Sequence, residues 1–249
     1  MDLSIVIPCY NEKDSIVALE QALFPVVDSL RRTSSVEVIL VDDDSQDGTG
    51  DLLRALALRH AGVVLLSHER NQGLGMATRT GFARARGDAV VVTDGDGTYP
   101  FTEIPKILAL LRGPVDIVSA SPCHPQGGIE GVPGYRIFLS QGASLLYRIL
   151  LKRDIHTYTA MFRAYRRKVV REVPSAADGF LMPAELLSNA ILLGYRVAEY
   201  PSALHVRRYG QSKAKLWRIV RAYLGFQLDL LWRRLSGSRP AGAEGSLRG

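Results

Sequence analysis

The amino-acid sequence predicts an α/β fold with a mostly parallel central sheet flanked by helices. Two observations support this prediction. In the first half of the chain, short runs rich in Val and Ile alternate with longer segments of helical length and composition, an order typical of parallel strands joined by helical crossovers. The short runs are apolar at consecutive positions, which indicates strands that are buried on both faces.

The predicted elements follow in regular order. We expect five buried strands alternating with four helices, and then a loop in which Pro and Gly are concentrated. Two more helices, a pair of strands and a last helix with an apolar stripe among arginines complete the chain. The predicted strands are 3–7, 36–41, 63–67, 89–93, 116–119, 196–199 and 203–206; the helices are 13–32, 48–60, 74–86, 102–111, 135–151, 181–193 and 213–235; and the loop is 122–134.

The length of 249 residues suits one large domain or one domain with an appendage. We expect a main domain over residues 1–212, a C-terminal amphipathic helix over 213–235 and a disordered tail over 236–249. Two interpretations of the helix are open. It is predicted either to lie at a membrane surface or to pack on the core or on a second copy of the chain.

Charge is unevenly distributed along the chain. The net charge is +6, and residues 205–249 contain ten Lys or Arg against two acidic residues. This favours an anionic partner, which on charge alone is a nucleic acid, an acidic lipid or a phosphorylated substrate. The sequence contains no run of about 18 apolar residues, the length expected of a membrane-spanning helix. Its first residues do not resemble a secretory signal. Two cysteines, Cys9 and Cys123, favour the cytoplasm.

Polar and acidic residues follow three of the predicted strands. Asn11 and Glu12 come after the first strand, three aspartates at 42–44 end the second, and Asp94 and Asp96 follow the fourth. Ligands bind at the carboxyl ends of parallel strands, and clustered carboxylates favour a cation between them. We therefore predict Mg²⁺ or Mn²⁺ bridging a diphosphate. The alternative is that these aspartates serve only as turn and helix-capping residues.

Motifs at these positions resemble the family-two glycosyltransferases of the GT-A fold. They are Ser4-Ile-Val-Ile-Pro-Cys-Tyr-Asn-Glu12, Val41-Asp-Asp-Asp-Ser-Gln-Asp-Gly-Thr49, Asn71-Gln-Gly-Leu-Gly75 and Thr93-Asp-Gly-Asp96. Further motifs resemble the polyprenol- or dolichol-phosphate mannose synthase branch, and the resemblance covers roughly residues 3–216. These are Arg136 to Ser140, Asp154 to Arg163, Glu185 and Arg207-Arg-Tyr-Gly-Gln-Ser-Lys213.

The resemblance implies a role for each matching position. The main domain would be the GT-A glycosyltransferase domain, and the residues that bind the nucleotide sugar would be Pro8, Tyr10, Asn11, Glu12, Asp43 and Asp94. The Mg²⁺ or Mn²⁺ ligands would be Asp94 and Asp96, and the catalytic set would be these two and Glu185. The phosphates of donor or acceptor would contact Arg136, Arg207, Ser212 and Lys213. Guanidinium and ammonium groups suit phosphate oxygens.

Two positions depart from the pattern of the mannose synthases. Thr98 stands where relatives often carry Gln, which leaves the third metal ligand unassigned. The loop after the fifth strand usually contains an Arg, whereas residues 119–124 contain none. The Asp94 and Asp96 pair is unaffected by either change.

The resemblance implies an inverting, metal-dependent transfer of a mannose-like hexose from a GDP- or UDP-sugar to polyprenyl or dolichyl phosphate, by a protein peripheral on the cytoplasmic face of a membrane. The alternative within the family is a UDP-sugar with a glycan or another hydroxyl acceptor. Nucleic acid is not an expected partner, since the acidic strand ends would repel its backbone. A Rossmann dehydrogenase is disfavoured because no Gly-x-Gly-x-x-Gly follows the first strand.

Overall fold

The computed structural model describes residues 1–206 and 216–236. Short 3₁₀ turns at Lys13–Ser15 and Phe101–Glu103 precede the first and fourth helices. The strands are Leu3–Cys9 (β1), Val36–Asp42 (β2), Val63–Ser67 (β3), Ala89–Val92 (β4), Ile117–Ser121 (β5), Gly128–Glu130 (β6), Arg163–Arg166 (β7), Val197–Pro201 (β8) and Ala203–His205 (β9). The helices are Ile16–Arg31 (α1), Thr49–Arg59 (α2), Leu74–Arg84 (α3), Ile104–Leu111 (α4), Gly134–Leu151 (α5), Arg167–Glu172 (α6), Met182–Leu192 (α7) and Leu216–Ser236 (α8).

Seven strands form one sheet in the order β3-β2-β1-β4-β7-β5-β8. The six strands other than β7 all run in the same direction, and β7 is antiparallel to both of its neighbours. The carboxyl ends of β1, β2, β4, β5 and β8 therefore meet at one edge. The predicted α/β fold with a mostly parallel sheet and flanking helices is confirmed.

Alternating side chains of the sheet enter two cores, one on each face. Ile5 and Ile7 of β1 pack with residues of α1, α2 and α4, whereas Val6 packs on the opposite face with residues of α3, α5, α7 and α8. Successive strand residues point to opposite faces, so covering both faces requires apolar residues at every position. This requirement accounts for the unbroken apolar runs from which the strands were predicted.

Strand β7 was not predicted, and its sequence explains why. Arginines begin and end the strand, where a central strand normally carries apolar side chains. The Arg163 side chain is fully buried and donates to Ser119 Oγ at 2.9 Å, to the Tyr158 carbonyl at 2.6 Å and to the Pro183 carbonyl. A buried guanidinium is tolerated when its N–H groups find acceptors, and here the acceptors come from distant parts of the chain.

The prediction that 196–199 and 203–206 pair with each other is wrong. β8 pairs with β5 in the large sheet, whereas β9 pairs with β6 in a separate two-stranded sheet. Ser202, between β8 and β9, is buried and donates its hydroxyl to Glu103. The short strand β6 lies inside the region predicted as a loop, where its glycine and the neighbouring prolines hide any strand pattern.

The C-terminal helix α8 has two apolar faces. One face is buried in the second core through Tyr223, Phe226 and Leu230. At 3.6 residues per turn, the opposite face carries exposed apolar side chains: Trp217, Leu224, Leu228, Leu231 and Leu235. Helix α8 begins within the predicted 213–235 segment, and residues 213–215 and 237–249 lie outside the described part of the chain. Within the described ranges, no helix is long and apolar enough to cross a membrane.

Candidate functional site

A cavity of ≈ 260 Å³ lies at the carboxyl ends of β1, β2 and β4. Five of the residues predicted to bind a nucleotide sugar line it: Pro8, Tyr10, Glu12, Asp43 and Asp94. They come from the ends of three strands and from the loops that follow them, which the parallel sheet brings together at one edge. The structure therefore places these predicted site residues around one cavity.

Asn11 connects two of these loops. Its backbone is in the left-handed region, with φ of 51°, a conformation that Asn tolerates better than most residues. Its amide N–H donates to Ser45 Oγ at 2.8 Å, and its Oδ1 accepts from the Gln46 amide at 2.7 Å. The loop after β1 is thereby held against the loop after β2. Asn11 does not line the cavity, and its contact with a nucleotide stays a prediction.

Asp43 is buried beside the cavity and holds the loop after β3. Its Oδ1 lies 2.6 Å from His68 Nδ1 and accepts from the Gln72 amide at 2.8 Å, while its Oδ2 accepts from the Gly73 amide at 2.8 Å. The other ring nitrogen of His68 lies 2.9 Å from Thr80 Oγ1. Asp43 thus shapes the cavity wall by fixing the segment that leads into α3.

Asp94 and Asp96 follow β4, and Thr98 orients the second of them. Asp96 is 5% exposed, and its Oδ1 accepts from the Thr98 amide at 3.0 Å and from the Thr98 hydroxyl. In the described residues, no group of three or more His, Cys, Asp or Glu is arranged to hold a metal ion. A pair of hard carboxylates fits Mg²⁺ or Mn²⁺ taking its remaining ligands from a diphosphate and water.

Two other groups at this edge remain protonated at neutral pH. Burial raises the pKa of the Cys9 thiol well above its usual range, and the nearby charges of Glu12 and Asp42 raise it further. Burial likewise raises the pKa of Tyr99, with the charge of Asp94 adding to the effect. The thiolate is the nucleophilic form of cysteine. Cys9 is therefore a wall residue of the cavity and not a nucleophile.

Glu185 at the start of α7 organises the loop over residues 175–180. Its Oε2 accepts from Ser175 Oγ at 3.0 Å, from the Ala176 amide at 3.0 Å and from the Ala177 amide at 2.8 Å. This loop packs directly on α3, where the Gly75 amide donates to the Asp178 carbonyl at 2.7 Å. Because a Cβ at Gly75 would lie 2.1 Å from the Ala177 carbonyl oxygen, the contact requires glycine.

A second cavity, the apolar groove, lies between α5 and α8 and has a volume of ≈ 480 Å³. Arg136 and Phe138 of α5 and Leu224 of α8 line it, as does Phe180 of the 175–180 loop. Arg136 is the described member of the predicted phosphate-binding set. The other members, Arg207, Ser212 and Lys213, lie outside the described residues.

Several residues of the site were not predicted. His68 follows a strand without any motif, and its role depends on the pairing of β2 with β3, which sets it beside Asp43. Gly179 and Phe180 line the first cavity but come from a segment with no recognisable pattern. Asn71 belongs to a motif noted in the sequence, and its side chain donates to the Asp43 carbonyl at 3.2 Å.

The chain is similar to three curated mannosyltransferases. It is 33% identical over 217 residues to a dolichol-phosphate mannosyltransferase of Pyrococcus furiosus, covering 86% of this chain and 60% of that protein. It is 33% identical to a polyprenol monophosphomannose synthase of Mycolicibacterium smegmatis, covering 84% of this chain and 79% of the relative. An undecaprenyl-phosphate mannosyltransferase of Micrococcus luteus is 32% identical, with coverages of 86% and 87%.

Solved structures show the same fold. A glucosyl-3-phosphoglycerate synthase of Mycobacterium tuberculosis, crystallised with Mn²⁺, uridine diphosphate and phosphoglyceric acid, superimposes with a TM-score of 0.71 at 21% identity, covering 97% of this chain and 80% of that one. The same enzyme with Mg²⁺ and uridine diphosphate gives a TM-score of 0.70. The model of glycosyl transferase family 2 matches residues 4–174. The motif resemblance is thus confirmed, and the chain belongs to glycosyl transferase family 2.

Proposed function

We propose that this protein is an inverting, metal-dependent glycosyltransferase that moves a mannose-like hexose from a nucleotide sugar to a polyprenyl phosphate. One observation carries the proposal. The cavity lined by Tyr10, Glu12, Asp43 and Asp94 adjoins, across Phe180, an apolar groove that contains Arg136. A cavity lined by carboxylates that would hold a nucleotide sugar, next to an apolar groove with a cation, suits a donor and a lipid phosphate. The names of the three curated relatives support mannose as the sugar and a polyprenyl or dolichyl phosphate as the acceptor.

Asp94 and Asp96 are the residues that would hold a divalent cation. The chemistry that Mg²⁺ or Mn²⁺ supplies when bound is neutralisation of negative charge on the diphosphate. Thr98 supports this role indirectly, since its amide and hydroxyl fix the orientation of the Asp96 carboxylate. Thr98 therefore acts here as an orienting residue, in the place where relatives often carry Gln.

The reaction we propose is a single displacement. An oxygen of the lipid phosphate bonds to the anomeric carbon, the bond from that carbon to the nucleoside diphosphate breaks, and its electron pair leaves with the diphosphate. Because a phosphate monoester has a second pKa of about 6, the acceptor is largely ionised at pH 7 and needs no general base. Arg136 would bind the acceptor phosphate, with Arg207, Ser212 and Lys213 predicted to do the same.

Glu185 is the least direct member of the predicted catalytic set. All three of its described hydrogen bonds go to the 175–180 loop, which borders both cavities. These contacts support a positioning role, in which Glu185 holds the loop that presents Phe180. Direct contact of Glu185 with the sugar stays a prediction.

The acceptor groove adjoins the proposed membrane surface. Phe138 and Leu146 of α5 and Leu224 of α8 are exposed and line the groove. Further exposed apolar side chains, Ile149 of α5 and Leu228 of α8, lie on the same two helices. Arg218 and Arg221 flank the apolar stripe of α8 and suit anionic headgroups. We propose that this side rests on the cytoplasmic face of a membrane, a compartment that the two free cysteines favour.

Liposome flotation tests the membrane surface. Vesicles containing anionic phospholipid should carry the wild-type protein to the top of a gradient. Replacing the two exposed tryptophans of α8, as Trp217→Ser with Trp232→Ser, should leave it at the bottom. Leu58→Ser is the matched control, because Leu58 is 85% exposed on α2, outside α5 and α8. If the wild-type protein never floats, the proposed membrane surface is wrong.

An organic-phase assay tests the function. Purified protein is incubated with Mn²⁺ or Mg²⁺, a polyprenyl phosphate in mild detergent, and radiolabelled GDP- or UDP-sugars in turn. We expect one donor to label the lipid, EDTA to stop labelling, and Asp96→Ala to lose at least ~10³-fold of the rate, on the scale of losing transition-state charge stabilisation. Asp51→Ala, at an exposed aspartate of α2, is the control that should remain active.

Two outcomes would contradict parts of the proposal. If a donor is slowly hydrolysed while no lipid is labelled, the acceptor is a hydroxyl compound and the lipid phosphate is wrong. If Asp96→Ala turns over at the wild-type rate with metal present, the assignment of the metal site is wrong.

A further inference from the structure

Phe180 is placed between the two cavities. Among the described residues that line either cavity, it alone lines both. The residue is 48% exposed although it is a large aromatic group, so it is accessible to a ligand. The ring therefore stands where the donor sugar and the head of the acceptor must approach each other, if the two cavities hold them.

The backbone that carries Phe180 is held from the donor side. The Ala177 carbonyl accepts from Arg79 Nη1 at 2.7 Å, and the Asp178 side chain also pairs with Arg79. With the Gly75 amide on the Asp178 carbonyl, these contacts fix the loop to α3, whose first turn forms part of the donor cavity. A loop fixed by several hydrogen bonds keeps the backbone of Phe180 in one position, which lowers the entropic cost of placing its side chain.

The same backbone is held from the acceptor side. The hydroxyl of Tyr223 on α8 donates to the Phe180 carbonyl at 2.9 Å. Burial raises the pKa of Tyr223, so the hydroxyl keeps the proton that this bond uses. The loop of Phe180 is thus hydrogen-bonded to α3, which lines the donor cavity, and to α8, which lines the acceptor groove.

We propose that Phe180 is a positioning residue that favours transfer to the acceptor over hydrolysis of the donor. This inference rests on the proposed function. In transfer, an acceptor oxygen bonds to the anomeric carbon as the nucleoside diphosphate leaves with the bonding electron pair. In hydrolysis, water makes the same bond and loses a proton to solvent. An apolar ring in the shared wall excludes water from the attacking side and leaves that position to the acceptor.

The test measures both products from one reaction. Labelled lipid and free labelled sugar are counted for the wild type and for Phe180→Ala, Phe180→Leu and Phe180→Tyr. We expect the ratio of transfer to hydrolysis to fall at least ~10-fold in Phe180→Ala, because a misplaced reacting group lowers a rate by at least this factor. The ratio should fall less in Phe180→Leu and be preserved in Phe180→Tyr. Tyr223→Phe, which removes the acceptor-side hydrogen bond, should lower the ratio by a smaller factor.

Phe138→Ala is the matched control. Phe138 is an exposed phenylalanine that lines the apolar groove but not the donor cavity. Its loss should raise the KM for the lipid, and at lipid concentrations well above that KM the ratio of transfer to hydrolysis should equal that of the wild type. If the wild type transfers normally and Phe180→Ala has the same ratio of transfer to hydrolysis, the inference is wrong and the proposed function stands. If the wild type labels no lipid, both the proposed function and the inference are wrong.

Discussion

Asp43 and Asp116 are buried at opposite edges of the same sheet, and the chain neutralises them differently. Asp116 precedes β5 and has Lys168 Nζ at 2.8 Å, Arg196 Nε at 3.8 Å and Arg166 Nε at 4.0 Å. Asp43 follows β2 and accepts from two backbone amides and His68. In the described part of the chain, no Lys or Arg lies within 4.0 Å of its carboxylate.

The comparison indicates that one edge of the sheet contributes to stability and the other to function. At the amino edge, where the amino ends of the parallel strands lie, Lys and Arg side chains neutralise the Asp116 carboxylate, so its charge contributes to folding. At the carboxyl edge, amide dipoles and an imidazole hold the carboxylate in place without a full cation from Lys or Arg. A buried carboxylate that is held by amides and an imidazole is typical of sites where a bound ligand supplies the balancing positive charge.

For this pair of carboxylates, the largest effect on the reaction is expected from Asp43→Asn. The amide keeps the shape of the side chain, but its NH₂ must face either the Gly73 amide or the His68 side of the site, where oxygen now accepts. Losing hydrogen bonds to a charged acceptor costs about 1.5–3 kcal/mol each, so we expect kcat/KM for the donor to fall about 10- to 100-fold. Steady-state kinetics and calorimetric titration with the nucleoside diphosphate measure the loss. Wild-type affinity in this variant would show that the cavity is not the donor site.

Asp116→Asn should show the opposite behaviour, with normal donor kinetics and a less stable fold. Burial by itself would raise the pKa of Asp116, but the hydrogen bonds from Lys168 and the Arg196 amide, with the charges of both residues, lower it below its usual value. We expect the variant to lose about 1–3 kcal/mol in the free energy of unfolding at pH 7, because Lys168 and the Arg196 amide lose a charged hydrogen-bond acceptor.

The pH dependence of this loss follows from the sign of the pKa shift. A carboxylate whose pKa is depressed in the folded state stabilises the protein above its unfolded value, near 4, and loses that contribution as the pH falls through the folded value. The difference between wild type and Asp116→Asn should therefore be full at pH 7 and shrink below about pH 4. Urea unfolding across this range checks it, and a difference that does not change with pH would rule out the ion-pair explanation.

The first five strands could be predicted because each carries its own signal. A strand that is buried on both faces requires a continuous run of apolar residues, which is visible in the sequence. Because the carboxyl ends of parallel strands meet at one edge, the placement of Glu12, Asp43 and Asp94 around one cavity followed from the order of the strands. The motif resemblance then supplied the family and the substrate classes, which no periodicity could have given.

The features that were not predicted depend on contacts between distant segments of the chain. The acceptors of Arg163 come from β5, from the residues before β7 and from α7, and no local pattern predicts that a strand beginning with arginine is buried. His68 reaches Asp43 only through the register of β3 on β2, and the 175–180 loop reaches Gly75 only in the folded chain. Long-range hydrogen bonds of this kind leave no periodic trace in the sequence.

The smallest effect is expected from Arg166→Ala at the amino edge. Arg166 donates to the carbonyls of Leu111, Gly113 and Val115 at 2.9–3.1 Å, and so satisfies backbone groups that the end of α4 leaves without helical partners. Because the Arg166 side chain is 36% exposed, water replaces part of what is lost, and we expect a decrease of only about 1 kcal/mol in the free energy of unfolding.

Arg54→Ala is the matched control for this last substitution. Arg54 pairs with Asp51 on α2, where both side chains are well exposed, and such pairs contribute about 0.2–0.5 kcal/mol. Urea denaturation at pH 7 should therefore rank Asp116→Asn above Arg166→Ala and Arg166→Ala above Arg54→Ala, with donor kinetics unchanged in all three. An Arg166→Ala variant that loses donor affinity but keeps its stability would show that the amino edge serves the reaction, and the division of roles between the two edges would fail.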